Sequence, residues 1–132
     1  MTPIRQAATE TISIQAPYGQ VFDYLSEPRN QEHWAVNFIR DIRETEAGPL
    51  ATTPFGEALL SCHPNRQAGT LDIQLGDGPA LPTRLVPNGD GCTYAFTLFQ
   101  PVGMPDSVWQ EQALPGLREE LSILKSLMEN PA

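Results

Sequence analysis

Residues Pro105–Glu129, PDSVWQEQALPGLREELSILKSLME, decide how the rest of the chain is read. Leu114, Leu117, Leu121, Leu124 and Met128 recur at alternating steps of three and four, the spacing of one apolar helical face. Ile123 and Leu127 widen the stripe, and Arg118, Glu119, Lys125 and Glu129 fall largely on the other side. A helix of this length runs about 35 Å at ~1.5 Å per residue, so it needs a long apolar trough to lie in. Asp106 or Ser107 is expected to cap it, and Ser107 with Gln110 has capping-box spacing. Pro115 removes a backbone donor inside the helix, so a kink is expected near Ala113–Pro115, with two separate helices as the alternative.

The trough is expected upstream. Thr9–Gln15 alternates polar residues with Glu10, Ile12 and Ile14, as a half-buried strand does. Ala16-Pro17 ends it and opens a helix, with Tyr18, Val21, Phe22 and Leu25 on one face. Pro28–Trp34 reads as a second short helix. Phe38–Thr45 is a charged strand suited to a sheet edge, through Arg40, Asp41, Arg43 and Glu44. Glu46–Phe55, with Gly48, Pro49 and Pro54, reads as a long connection.

A meander follows: Gly56–His63, Gly69–Leu75, Ala80–Pro87 and Gly91–Phe99, punctuated by Pro64-Asn65, Gly76-Asp77-Gly78-Pro79 and Asn88-Gly89. Short strands at this spacing form an antiparallel sheet. A two-residue type I′ loop at Asn88-Gly89 would set Leu85 opposite Cys92, Thr83 opposite Tyr94 and Leu81 opposite Phe96. Leu81, Leu85, Cys92, Tyr94, Phe96 and Leu98 then share one apolar face, while Arg84, Thr93, Ala95 and Thr97 share the wet one. Leu71, Ile73 and Leu75 alternate with Asp72 and Gln74 in the same way.

At 132 residues the chain is expected to form a single domain, 1–132. Its apolar content supports a core. The formal net charge of −8 disfavours nucleic acid and anionic lipid as partners. No stretch approaches the ~20 apolar residues of a membrane span, and Met1–Glu10 has no apolar core of a secretory signal. Cys62 and Cys92 lack metal-type spacing and read as free thiols in a reducing cytoplasm. The 13 prolines fall where elements should stop.

Strand, two short helices, meander and long terminal helix, in that order, resemble the SRPBCC superfamily, which includes the START domains, the Bet v 1-like proteins and the polyketide cyclase/dehydrase-like proteins. Ile14, Pro17, Val21, Phe22, Tyr24, Leu25, Pro28, Asn30 and Trp34 carry the early part of the resemblance. Leu117, Glu120, Leu121, Leu124, Lys125, Met128 and Glu129 carry the late part. The resemblance implies an α+β helix-grip fold, in which a curved antiparallel sheet wraps the long helix around a cavity. It further implies a small hydrophobic or amphipathic ligand, no cofactor, and catalysis in some branches only. A homodimer stays open. Two departures stand out: six candidate strands where the family has seven, with Glu46–Phe55 the place where a hairpin could hide, and no glycine-rich loop like that of the plant members.

The side chains expected around the cavity are Trp34, Phe38, Arg40, Leu60, Ile73, Leu85, Tyr94, Phe96 and Trp109. Pockets are mostly apolar with a few polar groups, although each aromatic taken singly could equally fill the core. His33, Tyr94 and Arg40 are the candidate catalytic helpers: His33 as a proton donor or acceptor, Tyr94 through its hydroxyl, Arg40 as an anchor for a carboxylate or carbonyl. Equally, His33 could be a half-exposed surface residue. Asp72 and Arg84 belong on the wet face by alternation, and His63 outside when Ala58, Leu60 and Cys62 point in. His33 and His63 supply too few ligands for a metal site. Three functions follow: a ligand-binding or carrier module; a polyketide cyclase/dehydrase-like enzyme in the same pocket; or an interaction module whose pocket is vestigial. A greasy cavity with one polar end would favour the first, a hydrogen-bonded polar pair inside the second, and a packed interior the third.

Overall fold

The computed structural model describes residues 3–130; positions 1, 2, 131 and 132 of the expected domain lie outside the described residues. Seven antiparallel strands form one curved sheet in the order β1-β7-β6-β5-β4-β3-β2, against which a long C-terminal helix packs. They are β1 (Ala7–Ile14), β2 (Asp41–Thr45), β3 (Gly48–Thr53), β4 (Gly56–Asn65), β5 (Thr70–Leu75), β6 (Thr83–Asn88) and β7 (Gly91–Phe99). Between β1 and β2 come α1 (Tyr18–Ser26), a 3₁₀ turn (Pro28–Asn30) and α2 (Gln31–Trp34). This is the helix-grip fold. Among the described residues no helix is long and apolar enough to cross a membrane.

The seventh strand, β3, lies inside Glu46–Phe55, which the sequence reading treats as a connection. Its prolines do not prevent pairing: Pro49 sits opposite Glu44 next to the turn, and Pro54 lies in the following turn. Both turns use the same device. The Thr45 hydroxyl donates to the Gly48 carbonyl and accepts from the Ala47 N–H; the Thr53 hydroxyl does the same with Gly56 and Phe55. Each turn is thus a threonine, two turn residues and a glycine at positive φ, Gly48 at +124° and Gly56 at +114°. Charged β2, beginning at Asp41 rather than Phe38, is an edge strand.

The β6–β7 hairpin keeps the expected faces but not the expected partners. Leu85 pairs with Tyr94 and Thr83 with Phe96, a shift of two that leaves parity unchanged. Within the turn only Gly89, at φ +56°, has a positive φ, the pattern of a type II′ rather than a type I′ loop. β6 is also shorter than Ala80–Pro87. Leu81 makes an isolated bridge to Ile73, Pro82 interrupts the strand, and the Thr83 hydroxyl donates to the Leu71 carbonyl at 2.7 Å.

The C-terminal helix is continuous but not uniform. α3 (Asp106–Val108) passes through a π-helical segment, Trp109–Ala113, into α4 (Leu114–Glu129). The Leu114 N–H bonds the Trp109 carbonyl, five residues back, immediately before Pro115. Proline can neither donate to the Glu111 carbonyl nor fit its ring against it, and a wider turn relieves both conflicts. It also brings buried Trp109 round to the side of buried Leu114, a five-residue spacing that a regular α-turn would not align. The expected capping box is absent: Pro105 is the N-cap, with no side-chain bond. Asp106 instead accepts from the Gln6 and Gln100 side-chain amides.

Leu117, Leu121, Leu124 and Met128 are buried in the sheet's hollow with Ile14, Val21, Phe22, Leu71, Ile73 and Leu85. Ile123 packs at the margin, whereas Leu127 is exposed. Polar ties hold the helix to β1. Arg118 Nε meets Glu10 Oε1 at 2.6 Å, Lys125 Nζ donates to the Ser13 carbonyl at 2.8 Å, and Glu129 accepts the Gln15 N–H at 2.7 Å.

Candidate functional site

Helix and sheet meet without filling the space between them. A cavity of about 640 Å³ remains at one end of the hollow, within the ~300–1,000 Å³ range of small-molecule sites. The strands supply its apolar wall: Leu60, Ile73, Leu75, Leu81, Phe96 and Leu98. Trp34, Phe38 and Ile39 close it from the α2–β2 segment, and Ala113, Pro115, Gly116, Leu117 and Glu120 from the helix. Exposed Asn37, Arg40, Pro54, Phe55 and Glu119 mark its mouth.

Six of the nine expected cavity residues are brought together here: Trp34, Phe38, Arg40, Leu60, Ile73 and Phe96. Three are not. Leu85 and Tyr94 point into the hollow as their parity requires, but at the end that α1 plugs. Trp34 stands between the two ends, edge-on to Tyr94 at 6.2 Å between ring centres while its other side lines the cavity. Trp109 is buried outside both the main core cluster and the cavity wall.

The three candidate catalytic side chains do not converge. His33 is exposed on α2 and does not line the cavity. The Tyr94 hydroxyl is sealed in the core; burial raises its pKa, against the lowering influence of the Thr83 side chain. Arg40 is exposed at the mouth. Neither Asp72 nor Arg84 lines the cavity: Asp72 lies opposite His63 in the β4–β5 ladder, and the exposed Arg84 donates to the Ala68 carbonyl. His63 is outside, its Nε2 3.1 Å from Gln74 Oε1. Both thiols are free; Cys62 bonds the Leu25 carbonyl, and burial pushes its pKa to about 11. Among the described residues no three His, Cys, Asp or Glu side chains are grouped to hold a metal.

Two polar side chains in the cavity wall are themselves buried, and the sequence reading assigned neither to the site. Gln31 opens α2 and is 6% exposed; Glu120 lies on α4 and is also 6% exposed. Glu120 Oε2 accepts two backbone N–H groups, from Asn37 at 2.9 Å and Phe38 at 3.1 Å. Asn37 Nδ2 reinforces the joint by donating to the Gly116 carbonyl and to Glu119. Burial raises the Glu120 pKa to about 7 against the opposing pull of the two N–H groups, with Glu119 adding a smaller push upward. A signal for Glu120 was present: position 120 lies three after Leu117 and four before Leu124, on the buried stripe. A carboxylate there needs a reason. Gln31 sent no comparable signal.

The helix-grip fold is the one that START and Bet v 1-like proteins also have. A START superfamily protein from Mycobacterium smegmatis superposes with a TM-score of 0.66 at 13% identity, covering 96% of this chain and 99% of that one. Ara h 8.0201 gives 0.59 at 15% identity, covering 95% and 99%. The Aha1 dimer from Colwellia psychrerythraea gives 0.61 at 14%, covering 95% and 97%. At these identities the likeness is one of fold. No family model matches the sequence, and no curated protein does either.

Proposed function

We propose that the protein binds a small hydrophobic or amphipathic molecule in the cavity between sheet and helix. The observation that carries this reading is the cavity itself: about 640 Å³, walled by aliphatic and aromatic side chains, with buried polar groups confined to Gln31 and Glu120. A packed interior would favour a vestigial pocket; the open space between sheet and helix does not. Binding stands ahead of polyketide cyclase/dehydrase-like catalysis because His33 and Tyr94 lie away from the cavity wall.

The test is native mass spectrometry of protein purified from its own host, followed by thermal melts with lipids and aromatic polyketides. A bound guest raises the melting temperature by mass action. Leu60→Trp, which fills the cavity from its strand wall, is expected to abolish that rise while the protein stays folded. No guest and no shift with any ligand would overturn the reading. We further place the protein in the cytoplasm, a reading supported by its two free thiols. A homodimer is proposed on the precedent of the Aha1 neighbour, and light scattering checks it.

A further inference from the structure

The structure assigns Glu120 a second task beyond joining helix to loop: with Gln31, it selects guests whose polar end donates a hydrogen bond. This deepens the binding reading and rests on it. Both backbone N–H groups fall on Oε2, which leaves Oε1 without a backbone donor on a residue that lines the cavity. No buried side-chain nitrogen or oxygen among the described residues lacks a partner, so neither polar group is sealed away unsatisfied. The Gln31 amide, able to donate and to accept, lines the same space from α2, which packs on α4.

The pair sets the chemistry of the head group. An ammonium would donate to Glu120 and to the Gln31 carbonyl oxygen. A hydroxyl would donate to Glu120 and accept from the Gln31 amide. A carboxylate could accept from Gln31 but would bring a second negative charge beside Glu120, which costs a proton or a repulsion. Two other charged side chains line the cavity, Arg40 and Glu119, both at the exposed mouth. Arg40 offers the competing arrangement, with the chain inside and an anionic head outside.

Three ten-carbon probes separate these cases: decylamine, decanol and decanoate, titrated calorimetrically into wild type, Glu120→Gln and Arg40→Gln at pH 7.5. The inference expects wild type to prefer decylamine and decanol over decanoate. The amine's advantage over decanoate should be about tenfold, on the scale of one charge-assisted hydrogen bond, and should shrink to about twofold in Glu120→Gln. Should that variant not fold, the carboxyl carbon resonance of Glu120 in wild type provides the same reading, shifting with decylamine. Decanoate binding tightest, and weakening in Arg40→Gln, would overturn the inference and leave the cavity a binding site. An unmoved Glu120 resonance with decylamine bound would overturn it as well. None of the probes binding, with no guest found by mass spectrometry, would remove the cavity reading and this inference together.

Discussion

Phe38 and Phe55 meet at the cavity mouth with ring centres 6.1 Å apart and planes inclined at 51°. Phe38 belongs to the segment that Glu120 holds, and Phe55 to the turn between β3 and β4, where it is 68% exposed. Phe38 leads into β2 and Phe55 follows β3, the neighbouring strand, so the aromatic pair extends that sheet edge over the opening. An aromatic so exposed contributes little to folding, so its place over the opening is the more informative fact.

Phe55→Ala is accordingly expected to leave stability within about 0.5 kcal/mol of wild type, while speeding both entry and release of a fluorescent guest. Stopped-flow mixing measures the two rates. Unchanged rates would mean that guests pass elsewhere.

The Glu120 carboxyl makes stability fall as pH rises. Its pKa is about 7 folded against an ordinary 4.5, so the folded state holds the proton more tightly. The contribution is complete below about pH 4.5, declines between 4.5 and 7, and is gone above that range. The difference is on the order of 3 kcal/mol. Glu44 and Glu129, whose pKa values are lowered by Arg29 and Lys125 respectively, act below 4.5 with the opposite sign. Denaturant melts from pH 5 to 8 should therefore show wild type losing stability, and Glu120→Gln showing a flatter profile.

Glu129 fastens the end of the helix to β1 by accepting from the Gln15 N–H at 2.7 Å and from Lys125 at 2.6 Å. Glu129→Gln should weaken both bonds. The expected result is a lower melting temperature and faster hydrogen exchange at Gln15, with the central β7 amides unaffected.

Leu121 is 1% exposed on the face that the helix presents to the sheet. Leu121→Ala should cost about 2–5 kcal/mol by chemical denaturation, because the curved sheet cannot collapse fully onto the void. A much smaller loss would mean that the existing cavity absorbs the change.

The fold was legible where side chains repeat with a period. The Leu117–Leu121–Leu124 stripe and the alternation through Leu71, Ile73 and Leu75 each identify an element and its buried face. A register error of two in the β6–β7 hairpin did no harm, since parity alone decides which residues point inward. β3 was illegible because Gly48, Pro49 and Pro54 read together as a loop, whereas Gly48 ends one tight turn, Pro54 sits in the next, and a threonine hydroxyl closes each. For the cavity, alternation gives the side of the sheet but not the position along it: Tyr94 and Phe96 share a face, yet only Phe96 reaches open space. Glu120 was readable as an anomaly on the stripe, but its backbone partners, Asn37 and Phe38, come from a loop more than eighty positions away, which no local pattern could supply.

The π-helical segment leaves the last helix out of phase with itself. Positions on either side of Trp109–Ala113 follow two frames offset by one residue, so a single helical wheel drawn through the whole element will misassign one half. Excising one residue from this segment would return the turn to ordinary winding and rotate α3 about the axis. That would carry Val108 away from the opening while α4 kept its seat on the sheet.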